Sequence, residues 1–554
     1  MAIYIKSFFL LSSLFLFSFG YAQIDYTERL STGKGKTKGA TPIGVTSKGV
    51  AYCASYKGRS RVNNYYKIID FKTGSLLNEK YYKRDKKTIA LRPINAYIRI
   101  KDHNPLLIIE TLEDKITSFY GFKLDDIGNI NSTPYLLTEG ESCSDHGLLS
   151  SKSDKTAAMW WTRDTISNQD VFITDHSCIK SENGPLHSTL RIVHYDDGLT
   201  NRDEQIITLP KATYSIDMVN YINGQLYLMC SNYERKKVKG RLFKTSVRDK
   251  DIYKIDREGT IQHLSLPKEK GPFLTGHYTL QEENGEMVVS GTLHERGESK
   301  NIKNSTDQIV EKEGVKGVLH AQLDFQEQKL TNIQTHLFGA NFITKYWSED
   351  EKDKAVRRKN IDDDSWMNSF AIMDHLKASD GGYYTIFQNK YVYDQSYTDS
   401  RGQYRQRVYY YYTTTIVAKT TSDGEYEWVK QVPTFNVYLN YNPGSSMQCL
   451  VNGEQLSVMH SSNEDIRYKI VHGQKNPNSR NRDRIDDHIA VTTLDQEGNL
   501  IYSTAFPLEG DEYKIRSFNG SLIEKYDGEF GYFEMEKGLF SKKKTTLFKI
   551  LLED

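Results

Sequence analysis

Cysteine is scarce. Five occur in 554 residues, at Cys53, Cys143, Cys178, Cys230 and Cys449. An odd and low number excludes a disulfide framework as what holds the chain together. No Cys-x-x-Cys is present, which excludes a zinc ribbon and a dithiol redox pair. Cys53 and Cys230 sit in strand-like runs and are expected to pack as small hydrophobes. Cys143 and Cys178 lie in polar stretches; spacing leaves open whether they pair. Proline is sparse as well, and twelve residues exclude a Pro-rich fibrous protein. Charge of one sign is missing: 73 lysines and arginines face 72 acids, a formal charge of +1. That balance excludes a strong global attraction to nucleic acid, and no nucleic-acid partner is expected. Helical periodicity is nearly absent. Beyond the N-terminus there is no second long apolar run, so no membrane span is expected.

The N-terminus carries a leader pattern. Lys6 supplies the positive charge, residues 7–19 form an apolar run, and Gly20-Tyr21-Ala22 places small residues before a cleavage point. Residues 1–22 therefore read as a signal peptide, and residues 23–554 as the mature chain, periplasmic or extracellular. No cysteine follows the apolar run, which argues against a lipoprotein anchor.

Tyrosine is abundant, with 38 residues, and aromatics make up 12% of the chain, a composition that favours strands. Short alternating runs recur around an Asp-x-x-Gly type of turn. Copies are Asp70 to Gly74, Asp126 to Gly128, Asp196 to Gly198, Asp256 to Gly259 and Asp495 to Gly498. Asp324 has a copy without glycine, and Asp423-Gly424 reads as one residue tighter. Asp closes such a turn through its side chain, and Gly accepts the backbone conformation that completes it. A second hairpin signal precedes most copies, at Asn223-Gly224, Asn284-Gly285, Gly381-Gly382, Asn452-Gly453 and Asp527-Gly528. Two hairpins per unit make a four-stranded antiparallel sheet that cannot bury both faces alone, so copies must stack. The fold class expected is all-β: one β-propeller domain over 23–554. Eight four-stranded blades are counted, with seven as the alternative. The spare strand Ile24 to Leu30 is expected to close the ring and remove an open edge.

The strand-Asp-x-x-Gly-x-x-x-aromatic pattern resembles the degenerate blades of quinoprotein-like propellers. It is also similar to repeats common in exported proteins of the Bacteroidetes. Trp428 and Tyr502 stand four residues after Gly424 and Gly498; Asn78, Ser132 and His263 replace the aromatic in other copies. The resemblance implies architecture alone, with no cofactor and no catalytic residue carried over.

Long polar insertions fall near 164–188, 233–250, 294–316, 340–366, 394–407 and 463–487. All but 340–366 read as connections between second and third strands, and that one joins two blades. In antiparallel blades both kinds of connection share one rim, opposite the short turns. Loops on a rigid scaffold are where binding resides, so this face is the candidate.

Candidate chemistry is thin. There is no His-Glu-x-x-His, Gly-x-Ser-x-Gly, phosphate loop or calcium loop, and no metal site or cofactor is expected. His294-Glu295 ends a strand on the insertion rim and offers an acid–base pair. Trp160-Trp161-Thr-Arg163 reads as the end of a second strand on that rim, with one Trp packed and the other, beside Arg163, free to stack on a sugar ring. Tyr404-Arg405-Gln-Arg407, followed by four tyrosines, begins a third strand whose aromatics and arginines suit a glycan or a peptide. The reading is an exported binding or scaffold module with a glycan or protein ligand on the insertion face, rather than an enzyme. The rival is a cell-envelope enzyme acting on polysaccharide or peptide, with acids at the channel mouth.

Overall fold

A computed structural model describes residues 24–31, 38–56, 65–82, 95–141 (except 102, 103 and 115), 159–175 (except 165 and 168), 189–199 (except 197 and 198), 202–210, 215–238, 241–267, 273–295, 302–303, 309–310, 314–346, 370–439 (except 399 and 401), 446–474, 488–506, 523–526, 529–535 and 545–552. The leader, Cys143 and Cys178 lie outside the described residues. No helix among them is long and apolar enough to cross a membrane.

The chain is all-β, in antiparallel sheets of the kind a β-propeller uses. Residues 38–81, 95–141, 159–208, 215–267, 273–337 and 447–506 each make a four-stranded sheet with strands in chain order. A seventh four-stranded sheet joins Ile24–Ser31 to Thr545–Leu552, Glu529–Met535 and Ile523–Tyr526. The count of four-stranded sheets is therefore seven, which corrects the eight read from the repeats. Residues 370–439 form a five-stranded sheet instead. There the long strand Tyr404–Thr420 pairs with Tyr426–Val432 near its end and with Asn436–Leu439 nearer its middle. Pro433 lies between the two partners and has no N–H to donate, so the edge breaks there.

The core lies between sheets. Val50, Tyr52 and Ile68 of the first sheet pack with Ile98, Leu107 and Phe122 of the second. Ile173 and Ile192 meet Leu228 and Tyr253 in the next such layer but one, and Val315 and Phe338 meet Phe387 and Ile416 further on. The second to sixth sheets in chain order thus bury both faces against neighbours, at about 1.5–3 kcal/mol per large apolar side chain. First strands also meet: Phe273–Glu283 contacts Ser215–Ile222 on one side and Phe370–Lys377 on the other. The sheet holding Ile24–Ser31 contacts Leu500–Phe506 of one neighbour and Lys38–Val45 of another. Cys53, Cys230 and Cys449 are buried within these layers, as small hydrophobes do.

The turns follow the repeat chemistry. Asp125, Asp256 and Asp495 accept the backbone N–H four residues on, at 2.7 Å in each case. The copy that reads as one residue tighter is in fact the same turn. Thr421 occupies the Asp position, and its Oγ1 accepts from the N–H groups of Asp423 and Glu425. Gly424 then takes φ +84°. A hydroxyl replaces a carboxylate as acceptor, so the spacing is conventional. Each turn also leans on the preceding sheet. The Trp428 indole N–H donates to the Gln496 carbonyl at 2.7 Å, and Asn78 Nδ2 donates to the Ile127 carbonyl at 2.8 Å. Asn78 thus makes with an amide the contact that the aromatic makes elsewhere. Gly498, at φ +73°, must be small: a Cβ there would lie 2.9 Å from Trp428.

Candidate functional site: a projecting tyrosine–arginine hairpin

Two of the expected insertion loops are strands. Residues 394–407 belong to a hairpin of Tyr383–Thr398 and Tyr404–Thr420. Residues 233–250 belong to another, of Gln225–Val238 and Arg241–Ile255. Both link second to third strands of their sheets. Strands that carry no core lack the apolar alternation by which strands are read, so they look like loops in sequence. Residues 463–487 begin instead with a helix, Glu464–His472, whose Asn463 side chain accepts from the Ile466 N–H at 3.0 Å.

The first hairpin outruns its sheet. The first strand, Phe370–Lys377, pairs as far as Asn389, and Tyr426–Val432 pairs with Thr415–Thr420. Beyond that, Lys390 to Thr398 pair with Tyr412 to Tyr404 alone, apart from Asn436–Leu439 alongside Tyr409 to Tyr412. The base is well fastened. Gln388 Nε2 donates to Ser446 Oγ at 2.8 Å, and Thr413 Oγ1 donates to Asn389 Oδ1 at 2.7 Å. Tyr412 is fully buried, with the Lys390 ammonium 5.2 Å from its ring centroid. Burial holds that ammonium below its ordinary pKa.

Alternation places Gln395, Tyr397, Arg407, Tyr409 and Tyr411 on one face of the ribbon. The Arg407 guanidinium lies 4.7 Å from the Tyr397 ring centroid. The Tyr409 and Tyr411 centroids are 6.3 Å apart. Contact with the hydroxyl of Tyr409, and then with Tyr397, holds Arg407 above its ordinary pKa. Arg407 is exposed, the three tyrosines half-buried, and Tyr404, at the hairpin end, 71% exposed. The result is a strip of aromatic faces with a fixed positive charge among them, raised on a rigid base. Such a strip stacks flat rings and pairs anionic groups. Of Arg405 the backbone alone is described, paired with Tyr397.

The other candidates lie elsewhere. Trp160, Trp161 and Arg163 sit on Met159–Asp164, a first strand rather than a second. The strand ends in the short turn to Gln169–Asp175, so these residues face the rim opposite the insertions. The polar run after Asp164 hides a turn and a strand, which is why the sequence reads as one long insertion. Both tryptophans pack: Trp160 against the Val171–Ile173 layer, and Trp161 on Phe172 with centroids 5.5 Å apart. The Trp161 indole N–H donates to Asp170 Oδ1 at 2.9 Å, and Arg163 lies 4.0 Å from the same oxygen. His294 and Glu295 end the second strand Glu286–Glu295, paired with Val315 and Gly314; their backbone alone is described. The structure does not bring them onto the tyrosine–arginine hairpin.

Sequence reasoning missed one cluster. Glu283 Oε1 lies 3.0 Å from His375 Nε2, and its Oε2 lies 3.4 Å from His320 Nε2. Ser290 Oγ is 2.8 Å from His320 Nδ1, and Thr385 Oγ1 is 2.9 Å from His375 Nδ1. The three charged-type side chains are at most 5% exposed, so they fasten two sheets and do not meet a substrate. Their positions are far apart in the chain, and only inter-sheet packing joins them. No group of three or more His, Cys, Asp or Glu among the described residues could hold a metal ion.

No family model matches this chain, and no curated protein matches it. Several solved structures are similar in outline. The WD40 domain of SCAP from fission yeast covers 95% of this chain and 98% of its own at 8% identity, TM-score 0.35. The polysaccharide lyase Uly1 covers 96% and 100% at 10% identity, TM-score 0.32. Drosophila Plexin A in complex with Semaphorin 1b covers 96% and 88% at 9% identity, TM-score 0.29. Likeness at this level carries no argument about activity, ligand or partner.

Proposed function

We propose that this chain is an exported β-propeller that works as a binding module and holds a glycan on the Tyr397–Arg407–Tyr409–Tyr411 strip. The carrying observation is that strip: aromatic rings and a guanidinium share one face of a hairpin that projects past its sheet from a fastened base. The pattern of residues 1–22 supports export. Pairing of Ile24–Ser31 with Thr545–Leu552 supports a ring closed by its own N-terminal strand. The repeat turns support kinship with quinoprotein-like blades in architecture.

The test is a thermal-shift screen of residues 23–554 against a panel of polysaccharides. A ligand at about 100 times its dissociation constant raises stability by roughly 2.7 kcal/mol. The double variant Arg407→Ala/Tyr409→Ala is expected to abolish the shift while the unliganded midpoint stays within about 1 °C, since both side chains lie outside the core. A shift that survives the double variant would refute the strip as the site.

A further inference from the structure

The second projecting hairpin differs from the first in charge. Residues 233–248 hold seven lysines and arginines against one acid, Glu234, in a chain whose formal charge is +1; Lys250, just beyond, is buried and paired with Asp217. The sheet does not cover this segment. Its first strand, Ser215–Ile222, pairs as far as Ser231, and its fourth, Ile261–Pro267, pairs from Asp249 onward. Between these limits the two strands pair with each other. The register sets Arg235 directly opposite Lys244, and puts Lys236 and Lys237 beside Phe243 and Leu242. Like charges directly opposite destabilise a strand pair. A polyanion laid along the ribbon reverses the sign of that term.

Lysine on an open edge also deters edge-to-edge pairing. Either sign of charge does that, and one or two residues suffice. A net excess of six positive charges in the 16 residues 233–248 goes beyond it. The segment lacks a long apolar run with which to enter a bilayer. Both hairpins link second to third strands, and the first offers ring-stacking faces with one more cation, Arg407.

We infer that the ligand is an acidic polysaccharide. Ribbon 233–248 pairs with its carboxylate or sulfate groups, and the tyrosine strip stacks its sugar rings. This rests on the reading of that strip as a glycan site, and the experiment separates the two.

Binding of residues 23–554 to immobilised polygalacturonate, chondroitin sulfate and neutral dextran would be measured between about 0.05 and 0.5 M NaCl. Binding to the two acidic polymers is expected, weakening at least about tenfold across that range as released counterions are replaced. A ribbon variant carries Arg235→Gln, Lys236→Gln, Lys237→Gln and Lys244→Gln. It should lose about tenfold or more for the acidic polymers with an unchanged unfolding midpoint. A second variant with glutamate at the same four positions keeps a charged edge and should bind more weakly still. If the ribbon variants lose binding and Arg407→Ala/Tyr409→Ala does not, the acidic-polymer inference stands and the strip reading falls. Dextran bound as tightly as polygalacturonate would overturn the inference, as would ribbon variants that bind like the parent. Tighter binding to oligo-dT or to vesicles rich in phosphatidylglycerol than to either acidic polysaccharide would overturn it too.

Discussion

At the scale of single residues, the turn chemistry is set by acceptor geometry more than by residue name. Thr421 accepts the same kind of backbone N–H groups that Asp256 and Asp495 accept. Thr421→Asp is therefore expected to leave stability within about 0.5 kcal/mol. Thr421→Val, which keeps the shape and removes the acceptor, should cost about 1 kcal/mol. Urea unfolding midpoints of the two variants decide this, and equal midpoints would refute the side-chain role. The Asp and Gly positions of the repeat were legible because a turn constrains residue type locally. The Asn78 contact was not, since its partner Ile127 is 49 positions away. Asp170 was missed for a different reason: it is only nine positions from Trp161, but its contacts with Trp161 and Arg163 are set by the pairing of Met159–Asp164 with Gln169–Asp175, which the polar run between them concealed.

At the scale of elements, strands were legible where apolar alternation marks them, although Met159–Asp164, read as a second strand, is a first. Tyr404–Thr420 is the third strand the sequence implied, while residues 394–407 and 233–250 read as loops because their sequences lack apolar alternation with a period of two. The join between the fifth and sixth sheets in chain order rests partly on ionisable groups, and it carries a pH dependence. Burial holds His320 below its ordinary pKa, with the Glu283 carboxylate opposing and His375 adding to the shift. Around the cluster stand Asp374, whose carboxyl burial pushes up, and Tyr383 and Tyr426, whose hydroxyls burial pushes up. The unfolded chain takes up a proton at His320 near pH 6.5, before the folded chain does. The unfolded state then holds more protons, so acid favours unfolding. Stability from this group is complete above about pH 6.5 and is lost as pH falls through the lower folded value. Urea midpoints at pH 7.5 and 5.5 should show a drop that is smaller in His320→Asn. An equal drop in the variant would place the proton uptake elsewhere, with the buried His194 and His336 next to be tested, since burial lowers both.

At the scale of the whole molecule, integrity is expected to depend on the sheet that unites Ile24–Ser31 with Thr545–Leu552. Deleting residues 24–31 leaves Thr545–Leu552 with a bare edge, and an exposed edge recruits strands from other molecules. The shortened chain is expected to unfold at a lower midpoint and to form dimers or larger species at micromolar concentration, seen by light scattering after gel filtration. A truncated protein that stays monomeric at the parent's midpoint would refute that role. Class and repeat were legible at this scale, because alternation and turn residues recur along the chain. The count of four-stranded sheets was not, because a proline break that adds a fifth strand looks in sequence like one continuous edge.

That terminal sheet also imposes a schedule. In a chain made from its N-terminus, residues 24–31 emerge long before residues 545–552, with which they pair. Pairing across more than five hundred residues is slow to form, because the loop must close before any contact rewards it. Until then the strand Ile24–Ser31 lacks its native neighbour, and an unpaired strand edge is prone to join other chains. The interval between the synthesis of residues 24–31 and that of residues 545–552 is when a chaperone that covers this edge would act.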